Sequence, residues 1–214
     1  MRATVLLGDD HVLVLDGIRR LIETRYEVLG SANDGKTLVR EALRLKPEIV
    51  VLDITMPILN GIDAAREIAK ADPHVKFVFI SMHSNAIYVR KAVEAGASAY
   101  VLKSGASEEL LKAIEAARKG DKYFSPGLGD HLIEDITVRP KTSSQQIVDL
   151  TSRQRQILQM IAEGKQNKEI AAILNVSVRT VEFHRSRLMS KLGARTGAEL
   201  SRFALQEGLI NSAE

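Results

Sequence analysis

Short apolar runs alternate with amphipathic segments along the first 120 residues of the chain. Five runs have the length and composition of buried strands, at residues 4–7, 28–32, 49–52, 77–80 and 99–102. Between them, apolar residues recur at helical spacing, as at Ile18, Leu21 and Ile22. This alternation predicts βαβ units in a parallel sheet covered on both faces. The number of strands favours a flavodoxin-like five-stranded (βα)5 domain of strand order 2-1-3-4-5.

The pattern changes after residue 120. The turn formers of SPGLGD, a short helix at HLIEDI and a polar stretch, VRPKTSSQQ, predict a linker over residues 121–147. Four helices are then predicted, at about 151–163, 167–174, 178–192 and 196–207. We therefore expect an α/β domain at residues 1–120 and an all-α domain at residues 148–214.

Composition and charge narrow the range of functions. The absence of Cys excludes disulfides, thiolate zinc sites and thiol nucleophiles. The opening MRATVLLGDD becomes acidic too early for a signal peptide, and no later run reaches membrane-spanning length. We therefore expect a cytoplasmic protein with no membrane partner. Residues 151–214 contain ten Lys/Arg and six Asp/Glu, which favours a polyanionic partner for this segment.

Carboxylates follow two predicted strands at one edge of the sheet. Asp9 and Asp10 follow the first strand, and Asp53 ends the third. Ligands of such sheets bind beyond the carboxyl ends, where the strand order reverses, and here that point lies between strands 1 and 3. Three adjacent carboxylates repel one another unless a cation is present. We predict that they hold Mg²⁺, which prefers oxygen ligands.

A hydroxyl and an ammonium group complete this edge. Ser81 ends the fourth strand, and Lys103 follows the fifth. Taken singly, an Asp at a strand end is commonly a turn former, and a lone Ser or Lys there is commonly solvated. Together, these groups indicate a phosphoryl-transfer site with Asp53 as nucleophile. The metal and Lys103 would neutralise charge on the transferring oxygens, and Ser81 would donate a hydrogen bond to one of them.

Four short sequences at these strand ends resemble the receiver domain of two-component response regulators. They are DDH at 9–11, LDITMP at 52–57, SMHS at 81–84 and YVLKS at 100–104. The resemblance covers about residues 1–120 and implies that Asp53 is the phosphorylated residue. It further implies that Asp10 and the Thr55 carbonyl bind Mg²⁺ directly, whereas Asp9 binds it through water.

The same resemblance implies roles for residues around the pocket. Ser81 and Tyr100 match the family's switch pair, in which the hydroxyl moves toward the phosphoryl group and the aromatic ring turns inward. Pro57 and Gly61 would shape the loop after the phosphorylated residue. Thr55 and His83 stand where the family tunes its phosphorylation and hydrolysis rates.

The C-terminal segment has the pattern of a helix-turn-helix, at about residues 167–186. Two helices flank a turn at Asn175, and Ser177 is a suitable N-cap for the second helix, which would enter the major groove. A basic helix face alone is commonly just solvated, but Phe183 on that face favours a partner. Glu182 would accept from a cytosine amino group, and Phe183 would touch a thymine methyl. The predicted DNA-contacting residues are Lys165, Asn167, Lys168, Ser177, Arg179, Thr180, Glu182, Phe183, Arg185, Ser186, Arg187 and Lys191.

This segment resembles the LuxR-type helix-turn-helix domain over about residues 148–212. LTSRQ, GKQNKEIAAIL, VSVRTVEFH and KLGA carry the resemblance. The two resemblances together are those of the NarL/FixJ class of response regulators. They imply a transcription factor whose phosphorylation by a sensor histidine kinase controls dimerisation and promoter binding. The expected partners are the kinase, double-stranded DNA, a second copy of the chain and RNA polymerase.

Two other functions are compatible with parts of this pattern. Asp53 followed by Thr55 is similar to aspartyl-phosphate phosphatases of the haloacid dehalogenase type. Those enzymes need an acid two residues after the nucleophile, which Thr55 does not supply, so we expect no enzymatic turnover. The second alternative is a phosphorylation-independent transcription factor that uses the first domain only for dimerisation. The complete set of pocket residues argues against it.

Overall fold

The structure is a computed structural model that describes residues 2–129 and 150–210. These residues form two compact units, the first with residues 2–129 and the second with residues 150–210. The first unit alternates strands and helices and the second is helical, as the sequence predicts. No helix among the described residues is both long enough and apolar enough to cross a membrane.

The first unit is a parallel sheet with helices between its strands. The strands are β1 (Thr4–Gly8), β2 (Glu27–Ala32), β3 (Ile49–Asp53), β4 (Lys76–Ser81), β5 (Ala97–Leu102) and β6 (Tyr123–Phe124). The helices are α1 (Val12–Ile22), α2 (Gly35–Leu45), α3 (Gly61–Ala71), α4 (Ala86–Glu94) and α5 (Ala106–Lys119). The strand order is β2-β1-β3-β4-β5-β6, which confirms the predicted order of the first five strands.

Both faces of the sheet are covered, as its apolar strands require. One core lies under α2, α3 and α4 and includes Leu38, Ile62 and Val89. The other lies under α1 and α5 and includes Ile18 and Ile114. Every residue of β3 is buried, so its terminal Asp53 is delivered to the carboxyl edge from a fully covered strand.

A sixth strand extends the sheet into the predicted linker. Tyr123 and Phe124 pair in parallel with β5, opposite Ala99 and Tyr100. Ser125 then fastens this segment, because its N–H donates to the Tyr100 carbonyl at 2.9 Å and its hydroxyl accepts from the Leu102 N–H at 2.9 Å. The prediction that the linker begins at residue 121 is wrong for these residues. A two-residue strand carries too little periodicity to be recognised in the sequence.

Side-chain caps fix where the helices begin after the strands. Asn60 accepts from the Asp63 N–H at 2.9 Å and starts α3 beside the end of β3. Asn85 accepts from the Ile87 N–H at 2.9 Å and starts α4 soon after β4. Caps of this kind satisfy N–H groups that have no partner within the helix. They set the length of the loops that surround the carboxyl edge of the sheet.

The second unit contains the four predicted helices. They are α6 (Ser152–Ala162), α7 (Asn167–Leu174), α8 (Val178–Leu192) and α9 (Gly197–Gln206). Thr151 and Gln154 form a reciprocal capping box at the start of α6. Asn175 adopts the left-handed conformation between α7 and α8, and Ser177 caps α8. The short helix predicted for HLIEDI and the VRPKTSSQQ connector lie outside the described residues.

Candidate functional site

Four potential metal ligands converge at the carboxyl edge of the sheet. Because β1 pairs directly with β3, Asp9 and Asp10 after β1 approach Asp53 at the end of β3. One ligand atom from each of Asp9, Asp10, His11 and Asp53 lies within 4.8 Å of the others. Asp9 is 1% exposed and Asp53 is 5% exposed, whereas Asp10 and His11 face solvent. The structure thus brings together the three predicted carboxylates and adds His11.

Lys103 neutralises the buried part of this cluster. Its ammonium nitrogen lies 2.7 Å from Asp53 Oδ2 and 2.8 Å from Asp9 Oδ2. Burial raises the pKa of the Asp53 carboxyl even though Lys103 opposes the shift. Burial also disfavours the charged form of Lys103, but Asp53 and Asp9 outweigh it and raise the pKa of Lys103. Lys103 therefore offsets only part of the cost of burying a charge at Asp53.

The donor set fits a hard divalent cation. Asp9 Oδ2 is buried and accepts no hydrogen bond of regular geometry, although the Lys103 ammonium lies 2.8 Å away as an ion pair. Asp10 presents its carboxylate at the exposed side of the cluster, where it contacts His11 Nδ1 at 2.8 Å. The buried carboxylate oxygens can still accept further ligands, and the neighbouring carboxylate faces solvent. This arrangement suits an ion that keeps several water ligands. A further cation would also compensate Asp53.

His83 connects the other predicted pocket residues. Its N–H donates to Ser81 Oγ at 3.1 Å, and its carbonyl accepts from the Tyr100 hydroxyl at 2.7 Å. Its Nε2 lies 3.4 Å from Thr55 Oγ1, and the Thr55 N–H donates to Asp53 Oδ1 at 3.3 Å. Ser81 and Tyr100 are fully buried, so the Tyr100 ring points into the protein. The loops after β3 and β4 therefore meet beside the carboxylates.

The loop between β3 and α3 is tightly folded. The Gly61 N–H donates to the Ile54 carbonyl at 2.7 Å and closes the loop. Ile58 has a positive φ of 70°, which is unfavourable for a β-branched residue. A Cβ on Gly61 would lie 1.9 Å from the Asp53 carbonyl oxygen. Gly61 is thus required by its close approach to the backbone of Asp53, in agreement with the loop-shaping role predicted for it.

The predicted DNA-contacting residues divide by exposure in the second unit. Helix α8 exposes one face, and Phe183 on this face is 53% exposed with the Arg187 guanidinium 4.6 Å above its ring. Beneath the face, Val181 and Leu188 are buried and Leu192 is partly buried. The predicted residues that are exposed are Lys168, Ser177, Arg179, Glu182, Phe183, Ser186, Arg187 and Lys191.

The other predicted DNA-contacting residues are partly buried. Arg185 Nη1 donates to Asn167 Oδ1 at 3.2 Å and ties α8 to the start of α7. Thr180 pairs with the capping Ser177 at 2.8 Å between their hydroxyl oxygens, and Lys165 lies 3.8 Å from Glu163. Arg185 and Asn167 thus also hold the two helices together.

Two residues at or beside the carboxylate cluster were not predicted from the sequence. His11 joins the carboxylate cluster, and the adjacent acidic residues are the signal that could have indicated it. Tyr88, on α4, stacks on His83 with ring centroids 4.1 Å apart and an interplanar angle of 12°. No sequence pattern indicates that second contact, because it depends on how the loop after β4 folds.

Comparisons with known proteins give the same division of the chain. Residues 5–115 match the response regulator receiver domain family, and residues 148–204 match the luxR family of bacterial regulatory proteins. The transcriptional regulatory protein MctR of Rhizobium johnstonii is 39% identical over 97% of this chain and 95% of its own length. The response regulator UvrY of Escherichia coli is 32% identical over 97% of this chain and 96% of its own.

A solved structure adds a nucleic-acid complex. RcsB from Salmonella enterica serovar Typhimurium, bound to promoter rprA in the presence of the phosphomimetic BeF3⁻, is 28% identical. The match covers 94% of this chain and 97% of that one, with a TM-score of 0.56.

Proposed function

Because this chain belongs to the two-component response regulators, with a receiver domain followed by a LuxR-type DNA-binding domain, we propose that phosphorylation of Asp53 controls its binding to DNA. The observation that carries the proposal is the position of Asp53. Its carboxylate is buried 2.7 Å from Lys103, within a cluster whose other carboxylates are Asp9 and Asp10. A sensor histidine kinase would be the phosphoryl donor.

The pocket residues have separate tasks in this transfer. An Asp53 carboxylate oxygen attacks phosphorus, and the leaving group departs on the opposite side. Lys103 attracts the charge on the phosphoryl oxygens, and the Ser81 hydroxyl donates a hydrogen bond to one of them. Asp9, Asp10, Asp53 and the Thr55 carbonyl would hold Mg²⁺, which supplies further neutralisation of the phosphoryl charge.

The phosphoryl group would act on the DNA-binding domain through the switch pair. A doubly charged group on Asp53 draws the Ser81 hydroxyl toward it, and Ser81 already accepts from the His83 N–H. The Tyr100 ring points inward and its hydroxyl donates to the His83 carbonyl. A movement of His83 would therefore change the hydrogen bonds of both switch residues. A single helix-turn-helix has limited contact area, and a two-fold dimer on a palindromic duplex is therefore expected. Contact with RNA polymerase stays a prediction.

The proposal is tested with the full chain, Mg²⁺ and acetyl phosphate as a small phosphoryl donor. A duplex site is first selected from a random DNA library, and affinity is then measured with and without the donor. We expect one acid-stable, base-labile phosphoryl adduct by intact mass and tighter binding to the selected site. Equal affinity in both conditions would favour the phosphorylation-independent alternative. Sustained hydrolysis of a chromogenic phosphate ester would favour the phosphatase alternative.

Phe183→Ala is expected to weaken binding to the selected site by about 5- to 10-fold, because the exposed ring would bury apolar surface against a base. Binding to unrelated duplex should change little, since an apolar ring does not attract phosphates. Arg187→Ala is the contrasting variant. It should weaken binding to both duplexes, and it should reduce the slope of log affinity against log salt concentration by about 0.9. Equal losses on both duplexes for Phe183→Ala would contradict base contact.

A further inference from the structure

The imidazole of His83 is held against the phosphoryl-transfer pocket by an aromatic side chain. The contacts of this residue include the Ser81 hydroxyl, which accepts from its N–H, the Tyr100 hydroxyl, which donates to its carbonyl, Thr55 near its Nε2, and the Tyr88 ring stacked on its own. The first two act on the backbone and leave the side-chain torsions free. The contact with Thr55 is long, at 3.4 Å. The stack on Tyr88, with ring centroids 4.1 Å apart and an interplanar angle of 12°, holds the plane of the imidazole parallel to a ring that belongs to α4.

Tyr88 is anchored to the start of α4 and packs against the core beside it. It lies in the first turn of α4, where its N–H donates to the Asn85 carbonyl at 3.1 Å and Asn85 caps the helix. Its ring is half-buried and packs against the core under α2, α3 and α4. Burial also raises the pKa of the Tyr88 hydroxyl, so the ring stays neutral at physiological pH. The position of His83 thus follows the position of α4.

We propose that Tyr88 is a positioning residue that slows the loss of the phosphoryl group from Asp53. By holding the His83 ring against Thr55, it keeps the loops after β3 and β4 closed over one side of the pocket. Loss of the group requires a water oxygen to attack phosphorus. The bond between phosphorus and the Asp53 oxygen then breaks, its electron pair returns to the carboxylate, and inorganic phosphate and a proton are released. A closed rim hinders the approach of that water. The inference rests on the proposed function.

The test follows phosphoryl loss in the full chain. The wild type, Tyr88→Ala, His83→Ala and the double variant are phosphorylated with labelled acetyl phosphate and Mg²⁺, the donor is removed, and the remaining label is followed. We expect Tyr88→Ala to lose the label about 2- to 10-fold faster, because the interaction energy of one aromatic pair corresponds to a rate change of this size. In the His83→Ala background, Tyr88→Ala should add nothing, because the ring that it positions is absent.

Two further variants separate positioning from packing. Tyr88→Phe keeps the stack and should restore the wild-type rate, whereas Tyr88→Leu keeps apolar volume without an aromatic ring and should behave like Tyr88→Ala. If Tyr88→Ala accelerates loss equally with and without His83, or not at all, the inference is overturned. A wild-type chain that takes up no label would instead contradict the proposed function, so the two failures are distinguishable.

Discussion

Asp53→Asn is expected to abolish both the phosphoryl adduct and the donor-dependent gain in DNA affinity. The amide has the size of the carboxyl but lacks a nucleophilic carboxylate oxygen. Coupling between two regulatory sites typically changes affinity by about 5- to 150-fold. We expect a donor-dependent gain in DNA affinity of this size in the wild type and no gain in the variant. Intact mass and DNA titration, each with and without acetyl phosphate and Mg²⁺, give the two measurements.

Asp16→Asn is the matched control for this prediction. Asp16 is an exposed acid on α1, and it should keep the adduct and the affinity gain. An adduct that persists in Asp53→Asn would place the acceptor on another residue. A lost adduct combined with an unchanged affinity gain would mean that the donor acts on DNA binding by another route.

The carboxylate pocket was predictable because its geometry follows from strand ends. In a parallel sheet all carboxyl ends lie on one edge, so locating the apolar runs also locates the residues after them. Asp53 and Ser81 end β3 and β4 as expected, and Lys103 follows β5. Only the strand order had to be added, and a five-stranded (βα)5 pattern permits few orders. The positions of these residues were therefore predictable from the main-chain topology.

Contacts that depend on side-chain direction or on loop conformation were not predictable in the same way. The stack of Tyr88 on His83 arises because the loop after β4 turns the histidine back toward the first turn of α4. The positive φ of Ile58 contradicts the local preference of a β-branched residue, and tertiary packing overrides that preference. Helical periodicity reports which face is buried, but it does not describe how irregular segments fold.

Helix α8 shows the same limit. Its exposed face was predictable from spacing of three and four residues, and Phe183 does lie on it. Charge alone gave no means of separating Arg187, which covers the Phe183 ring, from Arg185, which bonds to Asn167. The two arginines lie two positions apart and therefore point in different directions from the helix. Replacement of Arg185 would weaken the fold of its domain. A loss of DNA binding in such a variant would therefore reflect the fold as well as DNA contact.

Gly61→Ala is expected to destabilise the receiver domain by about 3 kcal/mol or more. The added Cβ would lie 1.9 Å from the Asp53 carbonyl oxygen and 3.2 Å from the Ile54 Cα. These are backbone atoms of the strand end and its loop, which cannot rotate away as a flexible side chain can. Relief requires that the loop shift, and this would also displace Asp53 from Lys103. Slower phosphorylation by acetyl phosphate should therefore accompany the loss of stability.

Urea unfolding followed by tyrosine fluorescence measures this change selectively, because the chain has no Trp and its four tyrosines all lie between residues 26 and 123. Gly17→Ala is a control for which the free energy of unfolding should rise instead of fall. Gly17 is exposed within α1 and a Cβ there would meet no atom within 4 Å, so alanine should stabilise the helix by about 0.5–1 kcal/mol. A Gly61→Ala domain as stable as the wild type would show that the loop relaxes without cost. In that case the tight approach to Asp53 would not be what requires glycine.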